Sequence, residues 1–384
     1  MRVALVCPYD LAAPGGVQVH VTELASVLLD RGHEAIVLGP ESRGHATRGH
    51  GTRGPANRGL ENGGLGRPIR VPYRGTVAPI APWPLGILRA RSALDAFSPD
   101  VVHVHEPFTP SSSMWAALAA RAPVVATFHA WLDRSRVYEA AAPLLGPVRR
   151  RLAATIAVSG AAARFVRRAM PALEPEIVPN GVLVSRFATA TPRAWPPGPR
   201  IAWAHRLDAQ KGFHVLVEAF GMLADERPDV QLTVGGDGAD RGAVDALASG
   251  ARSRVTMLGR LDHTDVPALL AGADVAVAAA TGQESFGYSV VEAMAAGVPV
   301  VATDIEGYRE VAKHEVDAVL VPPGDARALA GAIGRVLDDH ALCDRLVDAG
   351  RRRAASFDWP IVAERIERVY RRAADAGTSR PSLR

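Results

Sequence analysis

TGQESFGYSVVEAMAAGVPVVATD, residues 281–304, reads as loop, helix and buried strand in succession, and that succession decides the fold class. Ser285 offers an N-cap oxygen, Val290, Val291 and Met294 recur at helical spacing, and Gly297 followed by Pro299 stops the helix. Val298, Val300, Val301 and Ala302 then make the continuous apolar run that a parallel strand buries on both faces. Glu284 falls in the loop before the helix and Glu292 two turns inside it, next to Ala293, Ala295 and Ala296, whose small side chains imply close packing. Two carboxylates placed this way can flank one elongated ligand. The amides of Phe286, Gly287 and Tyr288 sit at the helix end carrying about half a positive charge, which suits phosphate. The plainer alternative is a pair of solvated acidic side chains.

The same alternation runs along the whole chain. RVALVCP, EAIVLGP, IRVPY, VVHVH, PVVATFH, TIAVS and EIVPNG are strand-like runs of the first half; RIAWAHRL, VQLTVGG, RVTMLGR, ADVAVAAA, VPVVATD and AVLVPPG are those of the second. Strand and helix repeated in this order predict an α/β protein with two Rossmann-like parallel-sheet domains facing a central cleft. The expected divisions are an N-terminal domain over 1–187, a proline-rich linker over 188–200, a C-terminal domain over 201–356, and a final helix over 357–384 that crosses back to the first domain. Residues 41–68, rich in Gly, Arg, Asn and His, are expected to form a mobile insertion.

Composition excludes several classes. The 384 residues are 48% apolar, enough for two cores, yet the longest apolar runs fall far short of the roughly 20 residues that cross a bilayer. MRVALVCPYD reads as a first strand and not as a leader. Cys7 and Cys343 supply neither a disulfide framework nor metal spacing. Lys211 and Lys313 are the only lysines among 44 basic residues, and the net charge is +4. With no zinc-ligand, helix-turn-helix or RNA-stacking signature, nucleic acid is not an expected partner, whereas an anionic membrane surface is compatible with the charge. The expected location is the cytoplasm, with peripheral contact at the inner face of the cell membrane.

Further candidates lie at strand ends. Gly15 and Gly16 open a helix whose Val17, Val21, Leu24, Ala25 and Leu28 share one face, so a diphosphate can approach the backbone there. The loop lacks the G-x-G-x-x-G spacing of a dinucleotide fingerprint, which weighs against an NAD or FAD oxidoreductase. Arg206 and Lys211 follow a strand and suit two phosphates whose charge grows as a glycosidic bond breaks; surface charge is the alternative for Arg206. His129, just past a strand, suits a sugar hydroxyl or else a place in the core, and Asn180-Gly181 makes a tight turn.

As a set, Gly15-Gly16, His129, Asn180-Gly181, Arg206 with Lys211, and Glu284 with Glu292 resemble the retaining family 4 glycosyltransferases of GT-B fold. VCPYDLAAPGGVQVHV, VVHVHEP and GQESFGYSVVEAMAAG are most similar to actinobacterial phosphatidylinositol mannosyltransferases. The resemblance implies a nucleoside diphosphate sugar as co-substrate, a front-face reaction and no metal required for the chemistry. It implies that Glu284 holds the sugar, Glu292 the ribose, and Gly16, Arg206 and Lys211 the diphosphate, with His129 beside the reacting sugar and Gly15, Gly287 and Tyr288 lining the donor site. Inositol would meet Tyr9, Gln18, Tyr73 and Arg134. The sequence departs from these relatives at Arg74, Pro79 and Ala130, and the base-reading acidic position falls on His263 with Asp262 adjacent. Only Arg89 and Arg91 remain of a basic helix for lipid surfaces. The alternatives are a family 4 enzyme using a UDP- or ADP-sugar and a non-inositol acceptor, or a non-catalytic sugar-nucleotide-binding relative.

Overall fold

The computed structural model describes residues 1–13, 15–42, 64–73, 76–131, 142–282 and 284–378. The chain divides into two compact units, Met1–Gly181 with Trp359–Arg384, and Val182–Asp358.

In the first unit β1 (Arg2–Val6) and β2 (Glu34–Leu38) precede an antiparallel pair, β3 (Ile69–Tyr73) and β4 (Thr76–Ile80). Then come β5 (Val101–His105), β6 (Val124–Phe128), β7 (Leu152–Ala157) and β8 (Glu176–Ile177). The six-stranded sheet has the order β2-β1-β5-β6-β7-β8, with every pairing parallel. Valine and alanine dominate β1, β5 and β6 because helices cover both faces: Val3, Leu5, Val102 and Val125 are fully buried. IRVPY is therefore not a rung of the parallel sheet. It pairs antiparallel with TVAPI, a strand that periodicity missed because Pro79 interrupts it. Of residues 41–68, the stretch 43–63 lies outside the described residues, but its flanks are packed: Leu65 is buried and its amide donates to the Gly39 carbonyl at 2.8 Å.

The final helix, Trp359–Thr378, belongs to this unit and buries Trp359, Val362, Val369 and Tyr370. The Trp359 indole donates to Glu23 at 2.7 Å, and Glu367 receives Arg31 and, at 3.2 Å, His33. Gly181 is required here, since a Cβ on it would stand 2.2 Å from the Trp359 ring.

The second unit contains β9 (Arg200–Ala204), β10 (Gln231–Gly235), β11 (Val255–Gly259), β12 (Val275–Ala278), β13 (Val300–Thr303) and β14 (Val319–Val321). Their order is β11-β10-β9-β12-β13-β14, again all parallel. Alternate strand residues feed two cores: Ile201 and Trp203 pack with the helix Phe213–Glu226, Ala202 and Ala276 with the helix Tyr288–Ala295. The unit begins at Val182 and not after 187. Val182 pairs with Asp358, its amide donates to Phe357, and Phe187 is buried in the core behind the Tyr288 helix. Residues 188–200 likewise pack on this unit: the Arg193 amide donates to Ala268, and Trp195 lies against Gly272. No helix among the described residues is long and apolar enough to cross a membrane.

Candidate active site

An open parallel sheet leaves a crevice where successive crossovers diverge, beyond the carboxyl ends of the two strands on either side. In the second unit that switch lies between β9 and β12. The loop after β9 carries Arg206 and Lys211; the loop after β12 carries Glu284. Gly212 brings the two loops together. It adopts φ +73°, and a Cβ on it would sit 2.0 Å from the Ala279 carbonyl, so only glycine lets the Phe213 helix start this close to β12. The Thr281 amide closes the junction by donating to the Gln210 carbonyl at 3.0 Å.

Lys211 Nζ consequently lies 2.5 Å from Glu284 Oε2, each side chain less than one-fifth exposed. Burial alone would raise the Glu284 pKa, but the Lys211 charge and hydrogen bond, His205 and the Gly287 amide outweigh it and hold the carboxyl below its ordinary range. His205, between these groups, is pushed down to about 3 by burial and then by Lys211. Arg206 stands apart in a half-exposed pair with Asp208 at 3.2 Å.

The helix after Glu284 starts later than its sequence suggested. Its N-cap is Gly287 at φ +90°, not Ser285, so Glu292 lies one turn inside. The Gly287 amide is directed at Glu284. Tyr288 packs edge-on against Phe286. Glu292 is buried as close packing implied, and its Oε1 lies 3.0 Å from His263 Nε2; Arg186 Nη1 lies 3.2 Å from His263 Nδ1. His263 and not Asp262 makes the contact with Glu292, and Asp262 is exposed.

In the first unit the switch lies between β1 and β5. Tyr9 forms a backbone bridge to Ile80, and Gln18 is buried with its amide donating to the Asp10 carbonyl at 3.3 Å. Gln18 also reaches Gly15, where an added Cβ would meet its Oε1 at 2.3 Å. Gly15 and Gln18 are thus in contact, with Gly16 the first residue of the helix Gly16–Asp30. Tyr73 ends β3, and Arg134 lies outside the described residues.

His129 is buried, with Nε2 2.9 Å from His105 Nδ1, and His20 packs edge-on against both rings. His103 shares the inner face of β5 with His105 and meets Tyr370 and Thr127, each at 2.7 Å. Burial, and then repulsion by neighbouring histidines, depresses the pKa of His103 to about 3 and those of His20 and His105 well below the ordinary value. His129 also falls to about 3, chiefly through burial. Glu106 occupies a left-handed conformation, φ 48°, which turns its carboxylate onto the amides of His129 and Ala130 and so fixes the chain after β6. His20, His105 and His129 are the one group among the described residues with metal-ligating spacing, their nitrogens within 4.8 Å of one another. The hydrogen bond between His105 and His129 places a proton where an ion would need two lone pairs.

Comparison with known proteins places this arrangement. Residues 14–186 match the model of Glycosyltransferase Family 4 and residues 194–353 that of Glycosyl transferases group 1. The phosphatidyl-myo-inositol mannosyltransferase of Mycobacterium leprae (strain TN) is 37% identical over 381 residues, covering 98% of both chains. That of Mycobacterium tuberculosis (strain ATCC 25618 / H37Rv) is 38% identical over 384 residues, again 98% of both. The chain belongs to the family 4 glycosyltransferases. Its fold, two parallel-sheet α/β units, is the GT-B fold of such solved structures as Anabaena Alr3699/HepE in complex with UDP and glucose, at TM-score 0.69 and 20% identity over 96% of this chain and 99% of that one.

Within this glycosyltransferase, sequence reasoning paired Arg206 with Lys211, whereas the structure pairs Lys211 with Glu284. It missed His205, Arg186 and the trio of His20, His105 and Glu106. One signal was available: in VVHVH the two histidines are two residues apart, and a strand turns both to the same face.

Proposed function

We propose that this enzyme is a retaining hexosyltransferase that moves mannose from a nucleoside diphosphate sugar to phosphatidylinositol at a membrane surface. The observation that carries the reading is the half-buried Lys211–Glu284 pair at the switch point of the second sheet, which fixes one basic side chain and one carboxylate before substrate arrives. On donor binding the diphosphate competes for Lys211, with Arg206 as a further partner, while Glu284 accepts from sugar hydroxyls and Glu292 from the ribose. The acceptor oxygen attacks C1 from the face the diphosphate leaves, the C1–O bond breaks, and the acceptor proton passes to the departing phosphate oxygen. Lys211 and Arg206 stabilise the negative charge that develops there. No metal is called for by these steps.

A lipid acceptor is supported by a patch of the first unit: Trp83, Leu85 and Leu88 stand 50%, 73% and 66% exposed next to the exposed Arg89, a combination suited to an anionic bilayer surface. Arg91, by contrast, is engaged by Asp95 and the Ala119 carbonyl. A second reading, another base on the donor, is favoured by His263, whose imidazole occupies the place next to Glu292.

Thermal-shift titration with GDP, UDP and ADP tests the donor reading. A ligand at a hundredfold excess over its Kd stabilises the folded chain by about 2.7 kcal/mol, and no movement with any of the three excludes a nucleotide donor. Transfer of labelled mannose from GDP-mannose to phosphatidylinositol vesicles, without and with EDTA, then tests sugar, acceptor and metal. Stabilisation by UDP or ADP alone would favour the second reading.

A further inference from the structure

Arg186, His263 and Glu292 form a chain of hydrogen bonds with a fixed direction. A guanidinium only donates, so Arg186 Nη1, 3.2 Å from His263 Nδ1, requires that nitrogen to accept. The neutral imidazole then carries its proton on Nε2, which donates to Glu292 Oε1 at 3.0 Å. Arg186 belongs to the short helix Val184–Ala188, which opens the second unit, and His263 to the loop after β11; both converge on a carboxylate whose side chain is only 9% exposed. We propose that His263 is a positioning residue: it holds Glu292 in the one orientation that accepts from the donor ribose hydroxyls, and Arg186 sets the tautomer that does so. The proposal rests on the reading of Glu292 as the ribose contact and adds that discrimination between ribose and 2′-deoxyribose depends on His263.

The chain needs an acceptor toward Arg186 and a donor toward Glu292, and a glutamine supplies both without a ring or a charge. Calorimetric titration of GDP, UDP, ADP and their 2′-deoxy counterparts onto the full-length wild type, His263→Gln and His263→Leu decides the matter. The expected result is a clear ribose preference in the wild type, kept by His263→Gln. His263→Leu should lose that preference and bind the ribonucleotide about tenfold more weakly, the scale of one hydrogen bond. In turnover, the KM for the sugar nucleotide should rise by more than kcat falls. If His263→Leu keeps both affinity and ribose preference, the positioning role is wrong. If it changes which base is bound while the ribose preference stays, His263 reads the base and the proposal is overturned. If no nucleoside diphosphate binds the wild type, the reading of the site itself fails, and the inference with it. Should His263→Leu not fold, Arg186→Met removes the group that sets the tautomer and leaves the Glu292 contact in place. It should narrow the ribose preference, and an unchanged preference counts against the proposal.

Discussion

Around the carboxyl half of the first sheet four histidines are buried with their charges removed, whereas at the end of the second a half-buried lysine and glutamate are set against each other as opposite charges. The two solutions obey one rule. A buried ionisable group either gives up its charge or finds an opposite one within hydrogen-bond reach. His20, His103, His105 and His129 are packed with one another and with the uncharged Tyr370, Thr127, Asn180 and Trp359, so the neutral forms win. Glu284 has the Lys211 side chain 2.5 Å away, so its carboxylate form wins. A neutral array suits hydrogen bonding to uncharged hydroxyls, and a fixed pair of charges suits a reaction whose leaving group is an anion.

Acid separates the two regions most sharply. Each of the four histidines has a folded pKa below its ordinary 6.5, with His103 and His129 at about 3, so between those limits the unfolded chain binds the protons and stability falls as pH drops. Each proton that the unfolded chain holds in excess adds about 1.4 kcal/mol per pH unit to the slope, and the effect levels off only above about pH 8. In the second unit His205 is shifted in the same direction. Glu284 has the opposite sign: its folded pKa is depressed, so its contribution is present above its ordinary 4.5 and is lost only as pH falls through the lower folded value. Hydrogen exchange at pH 7.5 and 5.5, corrected for the intrinsic rate, should therefore show loss of protection in peptides of β1, β5 and β6 well before those of β9 and β12. Equal loss in both units would mean that the histidines are not neutral in the folded chain.

Removing one member of the charged pair should cost on the order of 3 kcal/mol of transition-state stabilisation, about a hundredfold in kcat, for Lys211→Met, with the exposed Lys313→Ala as control. Lys211→Met also leaves Glu284 buried without its partner, so lost activity alone is ambiguous. The double variant Lys211→Met with Glu284→Gln removes both charges and should recover the melting temperature while remaining inactive. Recovery of turnover along with stability would reduce the pair to a structural contact.

Glycines of the second unit extend the comparison to the backbone. Gly212→Ala forces a Cβ into the Ala279 carbonyl at φ +73° and should cost about 2–3 kcal/mol in denaturant unfolding, with loss of the Lys211–Glu284 approach. Gly331, in the helix Ala326–Asp338, has open space around it, and Gly331→Ala should instead stabilise by up to about 1 kcal/mol. The two variants changing stability in the same direction would show that close approach at Gly212 is not what sets the geometry.

The parts of this molecule legible in its sequence are those governed by short-range rules. Apolar runs marked most strands of the two parallel sheets because burial on both faces leaves them no polar alternative, β3 and the exposed β8 were marked without such burial, and among the described strands β4 was missed, hidden by a proline that an edge pairing tolerates. Glu284 and Lys211 were legible as chemistry, but their partnership depends on Gly212 meeting Ala279 across 67 positions, a contact with no periodic signature. The domain boundary was misplaced because residues 182–187 carry no marker of which core will receive Phe187. His20 and Glu106 were passed over for the same reason: each reads as an ordinary helix or loop residue until the β1 and β5 ends are set side by side.

Arg206 gives the smallest effect and the finest division between the two ways of holding charge. It is the same kind of cation as Lys211, five positions away in the same loop, but its side chain is 51% exposed and its pairing with Asp208 at 3.2 Å is open to solvent. Exposed pairs contribute between about 0 and 1 kcal/mol, because water screens the attraction and ordering two long side chains costs entropy. Arg206→Ala should therefore leave the unfolding midpoint almost unmoved. Its proposed role appears only with a ligand: a diphosphate oxygen binding the guanidinium forms a charge-assisted contact in donor, transition state and product alike, so its loss raises KM with little change in kcat. About a tenfold rise in the KM for the sugar nucleotide, matched by a similar loss of affinity for the free nucleoside diphosphate, is the expected result. A fall in kcat as large as that of Lys211→Met would mean that exposure in the unliganded enzyme is no guide to which cation faces the leaving group. An unchanged KM would leave Arg206 a surface charge and Lys211 the cation of this loop that holds the diphosphate.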